Sequence, residues 1–393
     1  EEAAKILSLA LRPGCMVLLF AAGWAGNVAA FERFHVDYAH VLGLAKEELV
    51  RPTTLLFSAL GGSLLLSSLA SVAISIAQST TSGLGLWSIL SAYFLCLSGL
   101  FCWLPEAFAS KVRWREPLAR TLWRCVWPIR SAPTPFVEVL VADGLTSTAK
   151  VFFDLAMVSC AAFNSMDLWR PTALAISMSE DAALQGQRRT LLGEATDQCS
   201  RSSVPFFFWA APFLIRGYQC ILTIRNTKDG HTSQMQMINL AKYVSSLPIV
   251  LFAFGYAQNQ PEFSMDPEDF EVLWALAAIV NSVFSLMWDL VMDWGILQAT
   301  GPPCTSRHFG LRPNLLFRSM WGFYHFAILL NLGGRTMWSL RWSTTATLFL
   351  GSFFLSTVQQ AAEVTRRCLW NLLRVEWECI KKGVHRAHKH VEV

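Results

Sequence analysis

Trp288-Asp289-Leu290-Val291-Met292-Asp293-Trp294-Gly295 closes a run, Val272 to Met287, that is otherwise apolar enough to lie in a bilayer. Two carboxylates stand where hydrocarbon is expected. Positions four apart stack on one face of a helix, so Asp289 and Asp293 point the same way, bracketed by Trp288 and Trp294. An acidic side chain at the centre of a membrane helix costs roughly 2.5 to 3.5 kcal/mol on insertion scales. Two cost about 5 to 7 kcal/mol unless cations or water meet them, so this face looks away from lipid and something positive or wet lies opposite.

The composition agrees with a membrane reading. Of 393 residues 53% are hydrophobic and only 15% charged, with 16 Trp and 27 Phe. A soluble domain carries about 25% charged residues, so the expected class is an all-α polytopic membrane helix bundle. A net charge of +4, scattered along the chain, gives no basic stripe interleaved with exposed aromatics, and nucleic acid is set aside as a partner. The ten cysteines fall mostly inside apolar runs (Cys15, Cys96, Cys102, Cys160, Cys220), without a Cys-x-x-Cys or a histidine pair at ligand spacing. They read as buried thiols acting as small hydrophobes, and neither a metal nor a cofactor is expected. Cys199 and Cys304 lie in connecting segments where oxidation is open to them, but nothing pairs them.

A bilayer asks about 20 residues of a helix. The spans read as Cys15 to Phe31, Thr53 to Ile76, Gly85 to Leu104, Phe136 to Phe163, Val204 to Ile224, Leu240 to Tyr256, Val272 to Gly295, Met320 to Leu340 and Thr344 to Leu373. The basic, Trp-bearing segment 114–130 is either a tenth crossing or an interfacial helix. Residues 164–203 read as a loop. The Arg-bearing connector 301–318 and the basic tail 381–393 are placed in the cytosol. Gly333 and Gly334, directly before Arg335, mark a site of kinking or of close backbone approach.

Ionisable residues at membrane depth are the acids Asp143, Asp289 and Asp293 and the bases Lys242, Arg335, Arg366 and Arg367. Four cations against three anions leave one positive charge, which in low dielectric attracts a mobile counter-ion. Arginine suits oxyanions because its planar fork donates two parallel bonds. Each residue also has a plainer reading. Arg366 and Arg367 can anchor a helix end, Lys242 can snorkel from a span start, Asp143 can begin a helix, and Trp338 can be packing rather than a gate.

Several motifs together resemble the EXS domain of eukaryotic inorganic phosphate exporters. They are Trp-Asp-x-x-x-Asp-Trp-Gly at 288–295, Ala-Asp-x-Leu-x-Ser at 142–147, Lys-Tyr at 242–243, Arg-x-x-Trp at 335–338 and Glu-Val-x-Arg-Arg-x-x-Trp-Asn-x-x-Arg-x-Glu at 363–376. The resemblance implies about ten transmembrane helices: an N-terminal set in residues 1–135, an EXS transport core of six helices in 136–380, and the tail. It implies phosphate contacts from Lys242, Arg335, Arg366 and Arg367, with Asp143, Asp289, Asp293 and Thr146 beside them and Trp338 as gate. The family often has Asn where Thr146 stands and an acid where Asn331 stands, so the path here is expected to be more positive. The long exporters carry an N-terminal SPX domain that is not seen here. The chain therefore resembles the short Golgi type that returns phosphate to the cytosol, although a start at Glu1 rather than Met also fits a trimmed long exporter. Membrane lipids, a second copy of the chain and Golgi trafficking proteins are the other partners implied. Two rivals stand beside transport: a membrane transferase using the Asp-x-x-x-Asp pair with magnesium, and a non-transporting trafficking factor that retains Golgi enzymes.

Overall fold

Apolar runs of the required length become helices that stand side by side. The structure, a computed structural model, describes residues 2–45, 49, 51–53, 115–127, 134–164, 197–258, 266–300, 308–317, 320 and 322–383. The expected spans 53–76 and 85–104, most of the loop 164–203 and the tail beyond 383 lie outside them. In chain order the helices are α1 (Glu2–Arg33), α2 (Tyr38–Leu42), α3 (Arg115–Val126), α4 (Phe136–Ser147), α5 (Ala149–Asn164), α6 (Ser203–Asn226), α7 (Gly230–Val244), α8 (Leu247–Gln258), α9 (Pro267–Trp288), α10 (Phe323–Thr336) and α11 (Thr344–Lys381). Four stretches, Leu11–Arg33, Ser203–Asn226, Gly230–Gln258 and Glu268–Asp293, are long and apolar enough to cross a membrane. The chain is an all-α polytopic membrane protein. Its described strands are the antiparallel pair β1 (Leu297–Thr300) and β2 (His308–Leu311), in register Leu297 to Leu311.

The two ends of the bundle differ. At one end the hairpin packs on the last turns of α11, and Phe31, Trp294, Ile296, Phe317 and Leu373 are completely buried. Gly295 is obligatory there. Its φ is +54°, and a Cβ would come within 2.4 Å of the Trp377 ring. Arg312 is clamped on Glu376 at 2.9 Å and donates to the Trp294 carbonyl, which ties the hairpin to α11 and to the turn that follows α9. At the other end α9 presents Val272, Leu276, Val280 and Val283, each more than half exposed, as a face for lipid. Here Cys160 and Cys199 form a disulfide that ties the end of α5 to the approach of α6. This corrects the reading of Cys160 as a free buried thiol and supplies the partner that spacing alone did not give Cys199. Away from both ends, Asp154 of α5 meets Arg12 at 3.4 Å and Gln360 at 3.0 Å, joining α1, α5 and α11 in the interior.

Among the described residues, three spans are interrupted beside the charged interior. The 136–163 span breaks at Thr148, whose hydroxyl donates to the Leu145 carbonyl. The 230–258 span breaks at Ser245 and Ser246 before Pro248, and Asn281 of α9 donates to both serine hydroxyls at 2.9 Å. Beyond Trp288 the chain winds as a π-turn, Asp289–Asp293, in which the Trp294 amide bonds to the Asp289 carbonyl. Irregular backbone at membrane depth survives only where protein groups or a cavity satisfy it. All three breaks flank the charged interior.

Candidate substrate site

The interior is a set of charge pairs with unequal quality. Asp289, 1% exposed, accepts from both Nε and Nη2 of Arg335 at 3.0 and 2.5 Å, from Asn331 at 3.1 Å and from the Trp370 indole at 3.0 Å. Asp143 at the end of α4 accepts from Arg216 Nε at 2.7 Å and from the Tyr243 hydroxyl at 2.5 Å, and Arg216 is in turn held by Gln219 at 2.6 Å. Arg366 forks onto Glu363 at 2.7 and 2.5 Å and donates to Asn331 at 2.9 Å. These three stations are saturated.

Asp293 and Arg367 are not. Asp293 faces Lys242 Nζ and Arg374 Nε, each at 3.6 Å, and neither its Oδ2 nor that Nε has a hydrogen-bond partner although both atoms are buried. Lys242 otherwise lies over the rings of Tyr243 and Trp288. Arg367, 7% exposed, donates Nε to the Ser147 hydroxyl at 2.6 Å and Nη2 to the Thr146 hydroxyl at 3.4 Å, and stacks 4.4 Å over Trp370. Among the described residues no carboxylate lies within ion-pair distance of it. Pairing Arg216 with Asp143, Arg335 with Asp289, Lys242 with Asp293 and Arg366 with Glu363 leaves Arg367 as the cation without an acid. A guanidinium in low dielectric without a counter-charge costs several kcal/mol, so an anion is favoured beside it.

The expected constellation is therefore brought together, with changes in the roles of its members. Lys242 does not snorkel. It lies in the middle of the 230–258 span and is 7% exposed. Arg366 and Arg367 are buried rather than anchoring a helix end, and Asp143 closes α4 rather than opening it. Asp289 and Asp293 were expected to share one face. The π-turn instead directs the first to α10 and α11 and the second to α7 and the end of α11. The glycine pair does not kink α10, which stays helical to Thr336. Gly334 instead admits Arg366, whose Cδ would lie 2.7 Å from a Cβ there. Trp338 donates to the Ser282 hydroxyl at 3.0 Å and packs edge-on with Trp274 and Trp342, closing the disulfide end one turn beyond Arg335.

Four residues of the cluster are not among the expected site residues: Arg216, and Tyr243, Glu363 and Arg374, which stand inside the motifs at 242–243 and 363–376. Arg216 carried a signal, since it lies more than ten residues into the apolar run that begins at Val204, much as Arg335 lies inside its own. Glu363 and Arg366, three apart on α11, form a helix-face pair that spacing alone permits.

Ion pairs buried between broken membrane helices define a polytopic membrane protein with a charged interior. The family model described as the EXS family matches residues 7–380, and the chain belongs to the EXS family. It is 28% identical over 263 residues to human "Solute carrier family 53 member 1", covering 66% of this chain and 35% of that protein. A Xenopus laevis "Xenotropic and polytropic retrovirus receptor 1 homolog" is 28% identical over 264 residues, 66% of this chain and 34% of its own length. "SPX and EXS domain-containing protein 3" of Dictyostelium discoideum is 28% identical over 250 residues, 63% of this chain and 23% of its own length. The matched region thus spans about a third or less of each relative.

Proposed function

We propose that this chain carries inorganic phosphate across its membrane, using the interior between α4, α6, α7, α9, α10 and α11. The observation that carries the reading is Arg367: a buried guanidinium held by two hydroxyls and a ring, without a carboxylate among the described residues. A tetrahedral oxyanion seated there replaces its hydration with donors from Arg367 and Lys242, while Ser147 and Thr146, whose hydroxyl protons go to Glu363 and to the Asp143 carbonyl, hold the guanidinium in place. Binding must also be reversible. Asp293, loosely held, competes with the anion for Lys242 and weakens the site enough for release. Relatives named as solute carriers support transport over a magnesium-dependent transferase. So does Asp289, whose oxygens are already committed to Arg335, Asn331 and Trp370.

Disulfides persist in oxidising compartments, which supports a lumenal or extracellular position for the Cys160–Cys199 end. The hairpin end, with Arg225, Lys228, Lys381 and Lys382, then faces the cytosol by the positive-inside rule. This orientation is common to a Golgi and a plasma membrane. The test is flux of radiolabelled phosphate in proteoliposomes, wild type against Arg367→Ala and Asp293→Asn. Arg367→Ala is expected to lose about 100-fold, the scale of one charge-assisted oxyanion contact in a dry site. Equal flux in all three proteins removes the assignment.

A further inference from the structure

Beyond the central site, the last turns of α11 hold a second concentration of cations, in which Arg374 of the 363–376 motif is joined by Lys381 and Lys382, outside every motif quoted above. Glu378 accepts from Arg374 at 3.1 Å and Lys381 at 2.7 Å and lies 3.9 Å from Lys382. Three cations share one carboxylate. Lys381 and Lys382 are about two-fifths exposed, whereas Arg374 and Glu378 are largely buried, at 13% and 14%. The face is completed by Phe136 of α4, which lies 4.9 Å from the Arg374 guanidinium and 5.9 Å from Lys382. Arg374 reaches in both directions. One edge bonds Glu378, while its Nε turns inward to Asp293 at 3.6 Å and stays without a hydrogen bond although buried.

Cations at a helix C-terminus are favoured by the backbone dipole, and that alone accounts for Lys381 and Lys382. It does not account for a buried arginine whose unused Nε lies 3.6 Å from Asp293, the carboxylate that itself lies 3.6 Å from Lys242. We infer that Arg374, Lys381 and Lys382 form a second oxyanion station at the hairpin-end mouth, with Glu378 as a built-in counter-ion that an arriving anion displaces. The ligand class is a tetrahedral phosphate oxyanion, free or on a lipid headgroup. Two anion stations joined by Arg374 and Asp293 permit one anion to arrive as another leaves, which keeps each site weak while the chain of sites stays occupied. This role in loading or unloading the path rests on the phosphate reading above; the existence of the station does not.

The test reads the station directly. The full chain is placed in nanodiscs of zwitterionic lipid, Lys381 and Lys382 are modified with a limiting amine-reactive reagent, and the rate is read by peptide mass spectrometry. Inorganic phosphate at twice its dissociation constant is expected to slow modification about threefold, as two-thirds occupancy requires, and chloride at equal ionic strength to leave it unchanged. Slowing is expected to persist in Arg367→Ala, to weaken in Arg374→Gln and to strengthen in Glu378→Gln. If Arg374→Gln misfolds, the wild-type and Glu378→Gln rates still decide the matter. Modification insensitive both to phosphate and to added anionic phospholipid overturns the station, whereas protection that appears only with the lipid keeps it and assigns its ligand to the headgroup. A chain without phosphate flux whose lysines are still protected refutes transport and keeps the station; flux without protection does the reverse.

Discussion

Asp289 and Asp293 lie four residues apart in a single turn, and they are held in opposite ways. Asp289 accepts four hydrogen bonds from three side chains and is sealed from solvent. Asp293 accepts none among the described residues and sits 3.6 Å from each of two cations. The π-turn makes the difference by sending one carboxylate toward α10 and the other toward α7. A buried carboxylate saturated with donors acts as a fixed strut. One left loosely between two cations can exchange them for an anion. On the proposed function, strut and moving part share one turn, and substitutions at each should separate stability from transport.

The largest effect is expected at the strut. Asp289→Ala leaves Arg335 buried without its partner and forfeits four hydrogen bonds, which puts it at the top of the range of about 3–5 kcal/mol, whereas Asp293→Ala strips Lys242 of its counter-charge but breaks no hydrogen bond and is expected at the bottom of that range. Thermal unfolding in detergent measures both, and equal losses would mean that the two carboxylates do not differ in kind. Gly334→Ala strikes the same strut from behind. A Cβ meets Arg366 at 2.7 Å and pushes it from Asn331, so a loss of about 2 kcal/mol is expected, in the range of overpacked cores. Unchanged stability there would show that Arg366 relaxes freely. At the moving part, Asp293→Asn keeps shape but removes the competitor for Lys242. Phosphate should bind more tightly and leave more slowly, lowering both half-saturation and maximal flux, the latter about tenfold. A rise in maximal flux would reverse the role given to Asp293.

Much of this was legible in the sequence because expense in lipid is legible. Charges inside apolar runs flagged Asp143, Asp289, Asp293, Lys242, Arg335, Arg366 and Arg367, and all seven meet in the interior, as does Thr146. Which of them pair was not legible, because pairing depends on backbone breaks that periodicity does not reveal. An ideal α-helix would align Asp289 with Asp293, and one added residue in the turn undoes that. From sequence the 230–258 span begins at Leu240, since Gly230 to Asn239 is polar enough to pass for a loop, and that start puts Lys242 at the edge of the span instead of its middle. The Cys160–Cys199 bond joins residues 39 apart across a loop, a distance at which spacing carries no pairing information.

The smallest expected effect lies at the disulfide end, where neither strut nor moving part is touched. Trp338 stands between the interior and that surface, bonded to Ser282, whose hydroxyl in turn donates to the Arg335 carbonyl at 3.0 Å. Trp338→Phe keeps an aromatic edge against Trp274 and Trp342 but loses the indole donor, worth about 1 kcal/mol or less. If Trp338 only packs, flux should stay within about twofold of wild type and stability should fall by the value of that one bond. If it gates, the same loss should appear in the rate of opening while the melting temperature hardly moves, because the bond then exists only in the closed form. Measuring both on one variant separates the two, and Ser282→Ala, which removes the acceptor and the link to Arg335 together, should reproduce whichever result Trp338→Phe gives.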